Sequence, residues 1–228
     1  MTHNTTFQGD KKLPMNSLLG RVEKRLIQAT VTKFPCWIEG YHLTLMTILW
    51  SAGIIGFGYL AQQNRHWLWL SSLMIFLQWF TDSYDGALGR LRDTGIPKWG
   101  YYMDHLLDYG FLCAIFIGYS FLLSEQAARL LYIFALIAIG FMTSSYLSFA
   151  ATNEFKITYL GFGPTEMRLV FILLNTVIIF AGIRFIEVSI PYLIPISLIV
   201  LALVIFRTQK YVWAIDMHDK QSRDTTAV

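Results

Sequence analysis

Charged residues are scarce in this sequence: Asp, Glu, Lys and Arg make up 14% of its 228 residues, against roughly 25% in soluble domains. Its two cysteines, Cys36 and Cys113, provide neither a disulfide framework nor a CxxC metal site. The net charge of +3 is too small to indicate a nucleic-acid partner. Hydrophobic residues make up 55% of the chain, and the mean hydropathy is +0.47. We therefore predict an integral membrane protein with one compact helical domain.

Apolar runs close to the roughly 20 residues that span a bilayer recur along the chain. The predicted fold is all-α: a polytopic membrane bundle of about six transmembrane helices, preceded by an amphipathic interfacial helix. The predicted spans lie near residues 43–62, 66–88, 101–123, 128–150, 166–186 and 189–207. The chain then divides into four parts. These are a disordered cytoplasmic tail (1–14), an amphipathic juxtamembrane segment (15–42), a transmembrane domain (43–207) and a cytoplasmic C-terminal tail (208–228).

Residues 15–33 have the pattern of an amphipathic helix, because Leu18, Val22 and Leu26 recur every four residues. Such a helix can lie in the membrane surface, where its cations are attracted by anionic lipid. It can equally be an ordinary surface helix that packs on the cytoplasmic face of the protein. The other faces of this helix carry Arg21, Lys24 and Arg25.

The basic residues are unevenly placed, which predicts the orientation in the membrane. Of the 18 Lys and Arg residues, 15 fall in segments that share one side of the predicted bundle. The other side holds Arg65, Arg129 and Arg184. Both termini and the loop between the second and third spans are therefore expected in the cytoplasm, in a bacterial inner membrane or a eukaryotic endomembrane.

Four aspartates lie at the adjoining ends of the second and third spans, in the stretch DSYDGALGRLRDTGIPKWGYYMDHLLD. Asp82 and Asp85 are three residues apart and Asp104 and Asp108 are four apart, so each pair shares a helical face. A hairpin can point the two pairs at each other, and converging carboxylates repel unless cations lie between them. Oxygen ligands of this kind suit Mg²⁺, Mn²⁺ or Ca²⁺, and four carboxylates are enough for two ions.

Glycines and arginines between the acids indicate an anionic ligand. Gly86, Gly89 and Gly100 remove side chains from the faces beside the acids, where a phosphate could approach closely. Arg90 and Arg92 follow, and a guanidinium beside metal ions commonly holds a pyrophosphate. The combination suggests cleavage of a diphosphate linkage.

This stretch resembles the CDP-alcohol phosphotransferases, which carry DxxDGxxAR, then eight or nine residues, then GxxxDxxxD. Gly89 stands where the family usually has alanine, a change of one small residue for another. The matching positions are Asp82, Asp85, Gly86 and Arg90 and, nine residues later, Gly100, Asp104 and Asp108.

The resemblance implies an enzyme that transfers a substituted phosphate group from a CDP-linked donor to an alcohol and releases CMP. It implies Mg²⁺, as two ions, with Mn²⁺ as the alternative, and a homodimer in the bilayer. All four aspartates would be metal ligands, and Asp108 would also be the general base. The residues that would contact the CDP part are Gly86, Gly89, Arg90, Gly100 and Thr44.

Thr44 closes the segment FPCWIEGYHLT, which resembles a stretch that borders the nucleotide site in the family. Trp37 and Ile38 also match, but Tyr41 stands where asparagine is usual. The alternative for Thr44 is a helix N-cap.

Glu166 and Arg168, in the stretch GFGPTEMR, are the candidates for the acceptor or head-group site. Some aminoalcohol phosphotransferases of the family have a similar Thr-Glu, which would favour a cationic group. Family members that use phosphorylated acceptors place basic residues here, and Arg168 could serve that purpose. The alternative for Glu166 is stabilisation of the first turn of a helix through its dipole.

Three functions remain open. We favour a phosphatidyltransferase of phospholipid biosynthesis that uses CDP-diacylglycerol and a small water-soluble alcohol, because the chain is short, with six predicted spans, and eukaryotic aminoalcohol enzymes of the family are usually longer. The alternative is an aminoalcohol phosphotransferase that uses CDP-choline or CDP-ethanolamine with a lipid alcohol, which Glu166 favours. The third is a divalent-cation transporter or metal-binding membrane scaffold, which leaves Gly86 and Arg90 unexplained and would need acids at the midplane of the membrane.

Overall fold

A computed structural model describes residues 11–12, 19–152, 154–155 and 163–226. A short parallel pairing joins β1 (Lys11–Lys12) to β2 (Glu154–Phe155), and single 3₁₀ turns at Val31–Lys33 and Arg65–Trp67 precede the second and third helices. The seven α-helices of this described part are α1 (Gly20–Thr30), α2 (Gly40–Leu60), α3 (Leu68–Arg92), α4 (Pro97–Ser120), α5 (Glu125–Thr152), α6 (Pro164–Ala181) and α7 (Arg184–Thr226).

The all-α prediction is confirmed, and each of the six predicted spans corresponds to one helix from α2 to α7. In the described part, four helices are long and apolar enough to cross a membrane: α2, α5, α6 and α7 over Arg184–Gln221. The helices that carry the aspartates, α3 and α4, are not among these four because their composition is more polar. The number of spans therefore stays a prediction.

The C-terminal helix α7 is longer than its predicted span. It runs for 43 residues and contains Pro191 and Pro195. At 1.5 Å per residue this is about 65 Å, twice the roughly 30 Å hydrocarbon core of a bilayer. The predicted tail at 208–228 is thus helical as far as Thr226, and residues 227–228 lie outside the described residues. The predicted disordered tail at 1–14 also lies outside them, apart from the two residues of β1.

The connection between α3 and α4 is only four residues long, which forces the two helices into a hairpin. Asp93 follows the last residue of α3 in the left-handed conformation, with φ 54°, a frequent way to end a helix. Pro97 begins α4, where its missing N–H costs nothing. This sharp reversal turns the chain back and allows Asp82 of α3 to approach Asp104 and Asp108 of α4.

Helix α2 packs against both members of this hairpin. A Cβ added to Gly58 would lie 2.7 Å from the Cα of Gly118 on α4, so the two backbones are nearly in contact. Small residues commonly allow such a close approach between membrane helices. Buried Ile54, Ile75 and Ile115 fill the space between the three helices. Helix α6 covers α3, and α5 joins α4 to α7.

The surface helix α1 exposes most of the apolar stripe that the sequence predicts. Val22 is 64% exposed and Leu26 46% exposed, and Leu18 lies outside the described residues. Ile27 instead packs against a small cluster that contains Tyr84 of α3. The protein covers little of this stripe, and a position of α1 in the membrane surface stays a prediction.

The contact between α2 and α4 predicts an unequal effect of two matched substitutions. We expect Gly58→Leu to destabilise the protein by about 1–3 kcal/mol, the usual cost of overpacking, because its side chain would meet the backbone of Gly118. Gly56→Leu is the control, since a Cβ there meets nothing within 4 Å. Thermal unfolding in detergent would measure both, and equal midpoints would contradict the predicted packing.

Candidate active site

Three of the four predicted aspartates converge where α3 and α4 meet. One carboxylate oxygen from each of Asp82, Asp104 and Asp108 lies within 4.8 Å of the others. Their side chains are 20%, 35% and 28% exposed, so the cluster is open to solvent on one side. Two oxygens bound to the same Mg²⁺ at about 2.1 Å lie up to about 4.2 Å apart. The three carboxylates therefore fit a divalent cation after small rotations of their side chains.

Asp85 lies one helical turn after Asp82 but is not part of this converging trio. Its Oδ2 accepts a hydrogen bond from the Thr44 hydroxyl at 2.6 Å, and its Oδ1 accepts one from the backbone N–H of Gly86. The bond from Thr44 orients the Asp85 carboxylate from the side of α2, whereas Gly86 belongs to α3 itself. Its role as a fourth metal ligand stays a prediction.

Arg168 of α6 joins the cluster although it lies 60 residues after Asp108 in the sequence. Its Nη2 lies 3.0 Å from Asp82 Oδ2 and 3.2 Å from Asp108 Oδ1, and its side chain is only 6% exposed. The Phe111 ring lies 5.6 Å from the guanidinium carbon. This cation binds two of the three acids at once and so offsets part of their repulsion.

Gln78 belongs to the same network, although the sequence reasoning did not select it. Its side chain is fully buried. It accepts a hydrogen bond from Arg168 Nε at 2.6 Å and donates one to Asp108 Oδ1 at 3.4 Å. The signal was available, because Gln78 lies four residues before Asp82 and hence on the same helical face. A buried side-chain amide beside an acidic motif is more easily explained as part of the site than as a residue of the hydrophobic core.

Thr44 contacts the acidic motif from inside α2. Its N-cap alternative is wrong, because the helix begins at Gly40 and Glu39 precedes it. The approach depends on Gly40, where a Cβ would lie 2.5 Å from the backbone oxygen of Asp85. Any side chain at Gly40 would push α2 away from α3 and break the bond between Thr44 and Asp85.

The other predicted CDP-binding residues differ in their surroundings. Arg90 is exposed and makes no hydrogen bond or ion pair with any described residue, and a Cβ at the neighbouring Gly86 would lie 3.3 Å from its Nη1. Gly100 is open, with nothing within 4 Å of an added Cβ. Gly89 is buried, and a Cβ added to it would lie 3.4 Å from the Cα of Gly95. Gly89 therefore also contributes to the packing of the hairpin. Contact with CDP stays a prediction for all four.

Arg92 stabilises the segment before α2. Its guanidinium donates hydrogen bonds to the carbonyl oxygens of Phe34, Pro35, Cys36 and Ile38. It also lies 3.7 Å from the Glu39 carboxylate. Of the two arginines in the motif, Arg92 thus binds the protein's own backbone, and a contact of Arg90 with a pyrophosphate stays a prediction.

Both carboxylate oxygens of Glu166 accept hydrogen bonds from backbone N–H groups. Its Oε2 accepts a hydrogen bond from the N–H of Gly163 at 2.9 Å, and its Oε1 accepts one from the N–H of Leu19 at 3.0 Å. The residue is 6% exposed. These contacts support the alternative in which Glu166 stabilises the beginning of α6, and they add a bond to the beginning of α1.

Comparison with known proteins agrees with this arrangement. The family model described as CDP-alcohol phosphatidyltransferase matches residues 41–206, a range that contains the hairpin, Arg168 and most of α7. The chain belongs to this family. It is accordingly a membrane enzyme that transfers a phosphate-bearing group from a CDP-alcohol to an acceptor in lipid synthesis. No curated protein and no solved structure matches the chain.

The carboxylate trio predicts a measurable cation site. We expect Asp104→Asn to weaken Mn²⁺ binding at least tenfold, because one of three charged ligands becomes neutral. Asp93→Asn is the control, since Asp93 is exposed and asparagine tolerates its positive φ. Isothermal titration of the purified protein with Mn²⁺ would compare them. Unchanged affinity in Asp104→Asn would show that the trio does not hold the ion.

Proposed function

We propose that this transferase uses CDP-diacylglycerol as donor and a small water-soluble alcohol that carries a phosphate group as acceptor, in phospholipid biosynthesis. The observation that supports this choice is the position of Arg168, a buried cation within the acid cluster. Its Nε and Nη2 are bonded, whereas Nη1 has no partner among the described residues. A phosphate on the acceptor would take that remaining donor.

The surroundings of Glu166 argue against the aminoalcohol alternative. A cationic choline or ethanolamine group would need an available carboxylate, but both oxygens of Glu166 already accept backbone N–H groups. Breaking those bonds would leave two donors at the ends of α1 and α6 unsatisfied, one of them buried at Gly163. The feature of the sequence that favoured an aminoalcohol substrate is thus accounted for by the fold.

The carboxylate cluster supplies the cation site that the chemistry needs. Asp82, Asp104 and Asp108, with Asp85 as a fourth ligand, would hold Mg²⁺ or Mn²⁺, which would neutralise charge on the donor pyrophosphate and make CMP a better leaving group. Arg90, which is exposed beside Gly86, would bind the same pyrophosphate.

Asp108 is the proposed general base, and its partners leave one oxygen for that role. Gln78 and Arg168 both bind its Oδ1, so Oδ2 can take the proton of the acceptor hydroxyl. The hydroxyl oxygen then forms a bond to the phosphorus that carries the diacylglycerol. The bond from that phosphorus to the bridging oxygen breaks, and its electron pair leaves with CMP.

The cytoplasmic orientation also remains part of the proposal. It is supported by the excess of Lys and Arg on the side of the termini and of the loop between α3 and α4. CDP-linked donors are water-soluble at the nucleotide end, so this side gives them access to the aspartates. The homodimer stays a prediction from the resemblance.

Release of CMP by the purified protein tests the proposal. We expect Mg²⁺-dependent CMP from CDP-diacylglycerol with a phosphorylated alcohol, and none from CDP-choline or CDP-ethanolamine with a lipid alcohol. Asp108→Asn and treatment with EDTA should each abolish it. Activity only with an aminoalcohol donor would overturn the choice of substrates. No CMP from any donor, with folded helices and bound Mn²⁺, would favour the metal-binding alternative.

Arg168 should discriminate between acceptors. We expect Arg168→Lys to raise the KM of a phosphorylated acceptor at least tenfold, because lysine keeps the charge but not the planar set of donors. The KM of the donor should change less than threefold. Arg129→Lys is the control, since Arg129 is exposed and pairs only with Glu125 among the described residues. Equal effects on acceptors with and without phosphate would contradict this role.

A further inference from the structure

Glu23, on the surface helix α1, accepts hydrogen bonds from two other helices. Ser83 Oγ of α3 donates to its Oε1 at 2.7 Å, and Thr165 Oγ1 of α6 donates to its Oε2 at 2.8 Å. Each oxygen of this half-buried carboxylate therefore holds a different helix. Hydrogen bonds to an ionised acceptor are shorter and stronger than those between neutral groups, so Glu23 is well suited to join α3 to α6.

Both hydroxyls lie beside residues of the active site. Ser83 directly follows Asp82, and Thr165 lies three residues before Arg168, which is one helical turn. Arg168 in turn bonds to Asp82 at 3.0 Å. The same two helices are thus tied twice, once by Glu23 and once by the ion pair at the acid cluster.

Further contacts hold α1 across this junction. Near its beginning, the N–H of Leu19 bonds to Glu166 of α6 at 3.0 Å. At its end, the hydroxyls of Thr30 and Tyr84 lie 2.6 Å apart. Ser83 and Tyr84 are the two residues between Asp82 and Asp85. Helix α1 therefore bonds to both intervening positions of the first acidic pair and to the first turn of α6.

We propose that Glu23 is a positioning residue of the transferase: it holds the beginning of α6 against the acidic turn of α3 and so keeps Arg168 in register with Asp82 and Asp108. This inference rests on the proposed function. Glu23 makes no hydrogen bond to the carboxylate trio, and its hydrogen bonds towards the site are those from Ser83 and Thr165. Its loss should slow the chemical step and weaken binding of the phosphorylated acceptor, since Arg168 and the general base depend on that register. Binding of the CDP donor through Arg90 should change little.

The test compares Glu23→Ala with Glu23→Gln in the full-length protein in phospholipid vesicles. We expect Glu23→Ala to lower kcat for CMP release at least tenfold and to change the donor KM less than threefold. Glu23→Gln should stay within threefold of the wild type, because its amide offers an oxygen to one hydroxyl and an N–H to the other. Glu125→Ala, which removes an 86% exposed acid on α5, should have no effect.

A second variant tests the route of the effect. Thr165→Val removes one of the two hydroxyls bound by Glu23, and it should lower kcat less than Glu23→Ala does. Combined with Glu23→Ala it should cause no further loss, because both changes break the same link. Independent, multiplicative losses would overturn the proposal.

Three results would contradict the role of Glu23. A kcat of Glu23→Ala within twofold of the wild type would show that the link is not needed. Equal losses in Glu23→Ala and Glu23→Gln would assign the effect to charge, not to positioning. A loss accompanied by faster hydrogen exchange throughout the bundle would assign it to general stability, whereas we expect faster exchange only in α1 and the first turn of α6.

Failure of the proposed function gives a different result. In that case the wild type releases no CMP from CDP-diacylglycerol with any acceptor. Hydrogen exchange in Glu23→Ala then still decides whether Glu23 holds α6 against α3. Unchanged exchange in the first turn of α6 would overturn the inference, and faster exchange confined to α1 and that turn would support it.

Discussion

Three carboxylates meet where α3 and α4 come together, and their mutual repulsion constrains the rest of the bundle. One oxygen of each lies within 4.8 Å of the others. At that distance the repulsion between two ionised carboxylates is about 3 kcal/mol for an effective dielectric constant of about 20, before further screening by solvent. The fold offsets this cost with Arg168, which bonds to two of the acids, and with Gln78, which bonds to both Arg168 and Asp108. Such a cluster could bind a divalent cation, because its carboxylates are already held together.

Close helix packing is what brings these charges together. Helix α2 packs against both α3 and α4, and it approaches them at two of its glycines. At Gly40 the approach allows Thr44 to bond to Asp85, and at Gly58 it brings α2 against Gly118. Small residues on α2 therefore contribute both to the orientation of the acidic motif, at Gly40, and to the stability of the bundle, at Gly58.

The beginning of α6 shows how two neighbouring charged residues can have different roles. Glu166 and Arg168 are both buried, and burial of a charge is costly unless the charge is paired or hydrogen-bonded. Glu166 meets this condition with two backbone N–H groups, and Arg168 meets it with two aspartates and Gln78. Only the second arrangement leaves a donor, Nη1 of Arg168, without a partner among the described residues, and the proposed acceptor site is therefore based on Arg168.

Much of this protein could be predicted from its sequence because the signals are local. Apolar runs of bilayer length indicated helices α2 to α7, and the spacings of three and four residues placed each aspartate pair on one helical face. The glycines and Arg90 between the acids completed the motif of the family. Only the tertiary structure decided that Arg168, 86 residues after Asp82, joins the cluster, that Glu166 is used on backbone groups, and that Glu23 links α3 to α6. Periodicity determines which face of a helix a residue lies on, but the partner on that face depends on how distant helices pack.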